Sequence, residues 1–558
     1  MLYTNIIHRL DAKPASLASL RFQWEAARSR GLATTTLCSY NALWDDDAIA
    51  LAKELAGDPA QDAPQELGLH LHAFNGPRFL EKYHGSDPGF WLLDRATQFA
   101  VIEEMVARFT ALFGYPPASI GGYVMDATML RHLQEQYPHI RTAITSCFEE
   151  GARMYQGNNR NWMLFSDGGP WAPHWPTRAN ALIPARYAEE AIDIVALPHL
   201  NRDMMMSLIS RDDLFASHPG NIVRARINQG KDCPYYYRFL DAWRRQVQHN
   251  GWGYLSFFIS SPWLSAGHWI SDHPEFTREM YLDSLDWMLA HEDVTVCTLS
   301  EFGGFFRENV PAGRPHICHW RDELRQSKRE FVWFINPHYR AAFDFGLGGT
   351  LVDFRPYAGR VDGDVGPETA CQWNGSHPFV ISAGLRGGFW NNGWCTEVEA
   401  NGECAALHNA RIRCHLERNG DTWRVVADPQ TVKLGNGSVT LRQTWVLDGS
   451  SKIRVIREVL RMENIDGDMH TRDQFHGSIG TTEYPEDLRT VRMQIRSGAV
   501  EVEIPPLRTR LTLCAEGGVG TLTKPTLFKP RFTMQLRTPL SPLKPVTTCL
   551  TTSPLIKN

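Results

Sequence analysis

The sequence predicts a (β/α)7-8 barrel followed by an antiparallel β-sandwich. Three observations lead there. Short apolar, β-branched runs alternate with stretches of helical period through about the first 305 residues. Seven or eight such units occur, the number that closes a parallel barrel. After about residue 330 the helical period fades and hairpin signals replace it.

The strand-like runs lie at 4–8, 34–38, 67–72, 120–125, 142–145, 192–197, 254–259 and 294–299. The best helix spans 94–113, where Phe99, Ile102, Met105, Val106, Phe109, Leu112 and Phe113 recur at three- and four-residue steps and Gly114 ends it. A second spans 275–290, burying Phe276, Tyr281, Leu285, Met288 and Leu289. Farther on, Gly435-Asn436-Gly437 and the Asp-Gly-Ser-Ser run at 448–451 mark hairpin turns, and 453–462 continues as a strand before the turn at 464–468. The expected divisions are a barrel over 1–325, a sandwich over 326–540, and an extended tail rich in Pro and Thr over 541–558.

Composition narrows the function. The 558 residues are 43% hydrophobic and 21% charged, an ordinary globular balance. Lys plus Arg number 57 against 62 for Asp plus Glu, so the net charge of −5 gives no electrostatic ground to expect nucleic acid or an anionic membrane as partner. The apolar window 251–269 is interrupted by Pro262 and by several Gly and Ser, too broken for a membrane-spanning helix. Residues 1–8 lack a cationic leader, and eleven scattered cysteines contain no Cys-x-x-Cys; a reduced, cytoplasmic protein is expected, with homo-oligomerisation left open.

Chemistry in such a barrel belongs at the carboxyl ends of the strands. The first run ends near Arg9 and Asp11, and the third in His70 and His72, which share a face because residues i and i+2 of a strand do. Two imidazoles and a carboxylate suit a divalent cation, zinc foremost; the plainer alternative is one core and one rim histidine. Asp126 reads equally as the N-cap of a following helix and as a base or nucleophile. Glu149 follows the fifth run. In the loop 162–176, Asp167, Trp171, His174 and Trp175 suggest a rigid platform for stacking a sugar ring, or else a packed loop. His199, Trp263 and His268 stand after the sixth and seventh runs, the histidines as candidate acid, base or further ligand.

In this order of features, residues 4–306 resemble the polysaccharide deacetylase (NodB-like) superfamily and, more distantly, the barrels of family 38 and family 57 glycoside hydrolases. The elements are Asp11, the His70–His72 pair, Gly121 to Asp126 before Thr128 and Leu130, and 294–302 as closing strand. Several deacetylase motifs differ: no Thr-Phe-Asp-Asp occurs, the histidines are spaced His-x-His, and 121–125 stands where Arg-Pro-Pro-Tyr-Gly is usual. The segment 122–126 looks like the nucleophile segment of family 38 mannosidases, which place a mutarotase-like sandwich after the barrel.

The resemblance implies a metal-dependent hydrolase that removes an N- or O-acyl group from a carbohydrate. Asp11, His70 and His72 would hold the ion, Asp126 or His199 would act as base and His268 as acid, and Arg9, Glu149, Asp167, Trp171, His174, Trp175 and Trp263 would contact sugar. Its alternatives are a glycosidase with Asp126 as nucleophile and Asp167 or Glu149 as acid, and a glycan-binding protein without catalysis.

Overall fold

The computed structural model describes residues 1–57, 63–72, 74–83, 90–122, 124–146, 168–209, 234–266, 274–364, 377–382, 393–480, 490–526 and 531–555. The chain forms two compact units, one of Met1–Ala312 with Asp362–Ser376, the other of Gly313–Val361 with His377–Asn558. Among the described residues no helix is long and apolar enough to cross a membrane.

Eight parallel strands build the first unit: β1 (Leu2–Leu10), β2 (Thr34–Ser39), β3 (Gln65–His70), β4 (Ser119–Gly121), β5 (Thr142–Ser146), β6 (Val195–Pro198), β7 (Gly253–Phe258) and β8 (Val294–Val296). Their order is β6-β5-β4-β3-β2-β1-β7, with β8 beside the start of β1. Every residue of β2 and of β7 is buried, since a barrel strand faces packed side chains within and helices without. Their sequences accordingly do not alternate: β2 is three threonines followed by Leu-Cys-Ser, and β7 is largely aromatic and apolar.

The ring closes between β7 and β6 through a side chain. Asn201 Nδ2 donates to Tyr254 O at 3.1 Å, its Oδ1 accepts from Ser256 N at 2.7 Å, and the Ser256 hydroxyl donates to His199 O at 2.8 Å. One carboxamide supplies the donor and acceptor of a peptide group, so backbone on the exposed edge of β7 is satisfied without a neighbouring strand.

The helix expected over 94–113 is Arg95–Phe113: the Asp94 carboxylate accepts from Thr97 N at 2.9 Å, and Gly114 at φ 81° ends it. That expected over 275–290 is Pro274–Leu289. The run at 294–299 is strand only to Val296; Leu299–Asn309 is a helix, started by a capping box of Thr298 and Glu301. This helix covers the amino end of the barrel. Leu299 N donates to Thr35 Oγ1 at 3.0 Å and Ser300 N to Glu66 Oε2 at 2.9 Å, while the Phe305 ring stacks on Tyr3 at 4.0 Å. Gly303 permits the approach, since a Cβ there would stand 1.9 Å from Thr142 Oγ1.

The second unit is a sandwich of two antiparallel sheets, nine strands in each. It begins ahead of residue 326, because β9 (His316–Arg321) already pairs with β10 (Glu330–Ile335). The hairpin signals are realised: Gln430–Leu434 meets Gly437–Leu447 across Gly435 at φ 63°, and Gly437–Leu447 meets Lys452–Glu463 across the 448–451 turn. The segment 541–558, expected as a tail, holds the strand Val546–Pro554, inserted between Lys452–Glu463 and Thr509–Ala515. Thr548, Leu550 and Thr552 face inward with a period of two, which Pro and Thr content alone obscured.

A buried polar network joins the two sheets. Asp473 Oδ1 accepts from Trp394 Nε1 at 3.0 Å and from the Thr396 hydroxyl at 2.7 Å, and Oδ2 accepts from the Thr548 hydroxyl at 2.7 Å and from Arg457 Nη1 at 3.1 Å. Buried charge is retained here because nearly every lone pair has a donor.

Candidate functional site

Parallel strands deliver their carboxyl ends to one mouth, and five polar side chains gather there. Arg9 and Asp11 follow from β1, His70 and His72 from β3, and His199 from β6. The Arg9 guanidinium holds Asp11 Oδ2 at 2.8 Å from both Nε and Nη2. The rings of His70 and His72 stack with centroids 5.2 Å apart and planes 9° apart, as strand alternation requires. Phe258, at the end of β7, packs on His199 at 4.4 Å and on His70 at 6.0 Å. Gly121, opposite His70 in register, makes room for Leu37, since a Cβ there would lie 2.7 Å from Leu37 Cδ1.

Burial sets the charge state. It pushes His70 and His72 well below the usual imidazole range, with His72 and Arg9 adding to the effect on His70, and Arg9 to that on His72. His199 is pushed down to about 3 by burial, helped by Arg202 and Arg9. At neutral pH the site therefore holds three uncharged imidazoles. Uncharged imidazoles have a lone pair for a metal or a hydrogen-bond donor; His199, at about 3, is a weak base and at neutral pH is not the imidazolium that a general acid requires.

The donor chemistry fits a zinc-class cation. Ring nitrogens and a carboxylate are its usual ligands, and Asp11 Oδ1 is buried with no hydrogen-bond partner. Asp11, His70 and His72 do not, however, bring three donor atoms within 4.8 Å of one another. Holding an ion there would require these side chains to draw together.

The remaining candidates separate. Asp126 caps the helix Ala127–Gln136, accepting from Met129 N at 2.8 Å, and is held by Arg95 at 3.2 and 2.8 Å, so its carboxylate is occupied by structure. His174 is buried with Nε2 2.8 Å from Ala181 O and Nδ1 3.3 Å from Ala172 O, which makes it a loop tie rather than a sugar contact. Trp171 is buried. Trp175 donates to Val310 O at 2.8 Å and packs on Phe306, a residue of the helix covering the amino end of the barrel, away from the histidines. Trp171, His174 and Trp175 of this loop are thus engaged within the fold. Trp263 lies in the short turn Ser261–Leu264 after β7, where the Ser261 hydroxyl donates to Arg9 O at 2.8 Å. Glu149, Asp167 and His268 lie outside the described residues.

Phe258 and Ser39 are not among the candidates the sequence offers. Ser39 ends β2 opposite His70 in register, and its buried hydroxyl has no hydrogen-bond partner. The available signal was position, since each lies within one residue of the end of a predicted strand.

Residues 91–315 match DUF3863, described as a domain of unknown function with a solved structure. That stretch takes in β4 to β8 but not the ends of β1 and β3. No curated protein matches the chain. Among solved structures, the chain is similar to a "putative glycoside hydrolase/deacetylase" from Parabacteroides distasonis, at 17% identity and a TM-score of 0.47, over 66% of this chain and 88% of that one. A 4-alpha-glucanotransferase from Thermococcus litoralis aligns over 99% of both chains at 9% identity and a TM-score of 0.30. A galactose 1-epimerase from Lactobacillus acidophilus covers 44% of this chain and 99% of its own at 8% identity and a TM-score of 0.28. All three scores fall below 0.5, and the chemistry is read from this chain's own residues.

Proposed function

We propose that this chain is a hydrolase that removes an acyl group from a carbohydrate at the carboxyl-end mouth of its barrel. One observation carries the proposal: three imidazoles kept uncharged by burial stand beside a carboxylate with a bare oxygen, Asp11 Oδ1. The sequence resemblance of residues 4–306 to NodB-like deacetylases points the same way. A zinc-class ion held by Asp11, His70 and His72 would supply an acidified water and polarise the acyl carbonyl. Arg9 orients Asp11 and places a fixed positive charge where the carbonyl oxygen gains negative charge. His199, uncharged and set against Phe258, accepts a hydrogen bond from a sugar hydroxyl or amide. Asp126 is engaged by Met129 N and Arg95, which gives the glycosidic alternative no observation of its own.

Acetate release from acetylated oligosaccharides tests this. His70→Ala and His72→Ala should each lower the rate at least about 100-fold, as loss of a ligand or its support does, while Asp126→Asn should keep it within a few-fold. Release unaffected by both histidine changes, or reducing ends appearing in place of acetate, would overturn the proposal.

A further inference from the structure

The sandwich unit holds a second constellation that the barrel chemistry does not use. His319 lies on β9, Glu330 opens β10, and Cys414 opens the strand Cys414–Asn419 of the other sheet. In the β9–β10 pair Arg321 is opposite Glu330 and His319 opposite Val332, so His319 and Glu330 are diagonal neighbours on one face. Glu330 Oε2 stands 3.5 Å from His319 Nε2 and 3.7 Å from Cys414 Sγ, and Sγ stands 3.7 Å from Nε2. The same three atoms close the triangle. Among the described residues no other set of three His, Cys, Asp or Glu side chains brings its donor atoms within 4.8 Å.

Those edges have the dimensions of a metal site. Ligands about 2.0–2.3 Å from a tetrahedral zinc stand about 3.3–3.6 Å from one another, so the triangle needs contraction by a few tenths of an ångström at most. Sulfur, imidazole and carboxylate are a borderline-soft set that selects zinc-like cations over calcium or magnesium. Arg321 Nε lies 3.3 Å from the other carboxylate oxygen, Oε1, and leaves Oε2 to the thiol and imidazole. Both Glu330 and Cys414 are buried.

We propose that His319 Nε2, Glu330 Oε2 and Cys414 Sγ bind one divalent cation of the zinc class, and that the ion clamps the two sheets together. Without the ion the thiol donates to Glu330, and burial together with that carboxylate keeps its pKa well above the ordinary value. Binding therefore exchanges a proton for the metal: the S–H bond breaks, the sulfur lone pair forms the metal–sulfur bond, and one proton leaves to solvent. Affinity should rise with pH.

The test is a cobalt(II) titration of the full chain after chelator treatment. The native protein should develop a near-ultraviolet thiolate-to-cobalt band with the amplitude of one thiolate ligand per chain, a signal to which an ion on Asp11, His70 and His72 does not contribute because that set has no sulfur. The band should vanish in Cys414→Ser, weaken at least tenfold in affinity in His319→Ala, and persist in Cys549→Ser and His70→Ala. Absence of the band from the native chain, or its survival in Cys414→Ser, would overturn the assignment. Should Cys414→Ser fail to fold, His319→Ala decides, because a thiolate band of undiminished affinity there excludes this site.

Discussion

At the scale of the residue, buried histidines govern how this protein responds to acid. His8 is held to about 3 by burial, as His199 is. Its Nε2 lies 2.7 Å from the Tyr281 hydroxyl, which in turn donates to Gln23 O at 3.1 Å. The hydroxyl proton is thus committed, His8 Nε2 carries the donor hydrogen, and Nδ1 is bare. Protonating Nδ1 would bury a charge with no acceptor. Because the folded values lie below the unfolded value of about 6.5, the unfolded chain binds more protons once pH falls past 6.5, and stability drops from there toward pH 3. Each such histidine costs about 2 kcal/mol at pH 5 relative to pH 8. In His8→Gln, which keeps a donor near Nε2, urea midpoints should fall less steeply between pH 6 and pH 4, by about one proton. A slope identical to that of the native chain would contradict this. Asp126 also belongs to this scale. Its position before a helix allowed two roles, and the second partner, Arg95, comes from a different helix that no spacing rule connects to it.

Among elements, the barrel was legible because its signals are local. Period-two and helical patterns, Asp94 and Gly114 at the ends of one helix, and Gly-Asn-Gly in a hairpin each depend on neighbours within a few residues. Errors arose where one element ends and a different one begins. The run 294–299 turns from strand to helix at a capping box, and Val546–Pro554 is an interior strand whose sequence reads as a loose segment. The joint between β6 and β7 has no local signature at all, because Asn201 takes the place of a missing strand pairing. Asn201→Ala would leave Tyr254 O and Ser256 N without partners, a loss of about 2–4 kcal/mol. Hydrogen exchange at the Ser256 amide should accelerate accordingly; protection equal to that of the native chain would show that the carboxamide does not close the ring.

On the scale of the whole molecule, each unit has its own interior logic. That of the sandwich depends on Asp473 and Arg457, which link its two sheets. Asp473→Ala should lower stability by about 3–5 kcal/mol in chemical denaturation, because Arg457 would stay buried without its counter-charge. Replacing both by apolar residues should recover most of that loss, and a double variant no better than the single one would refute the account. The sequence by itself determined the barrel, the sandwich and the strand ends where chemistry collects, since hydrophobic period and turn residues act over short distances. Only the tertiary structure decided which polar groups meet. His70 and His199 share Phe258, Trp175 lies at the amino end of the barrel, and His319, Glu330 and Cys414 converge from two sheets. Such meetings depend on register and layer packing, which distant parts of the chain settle together.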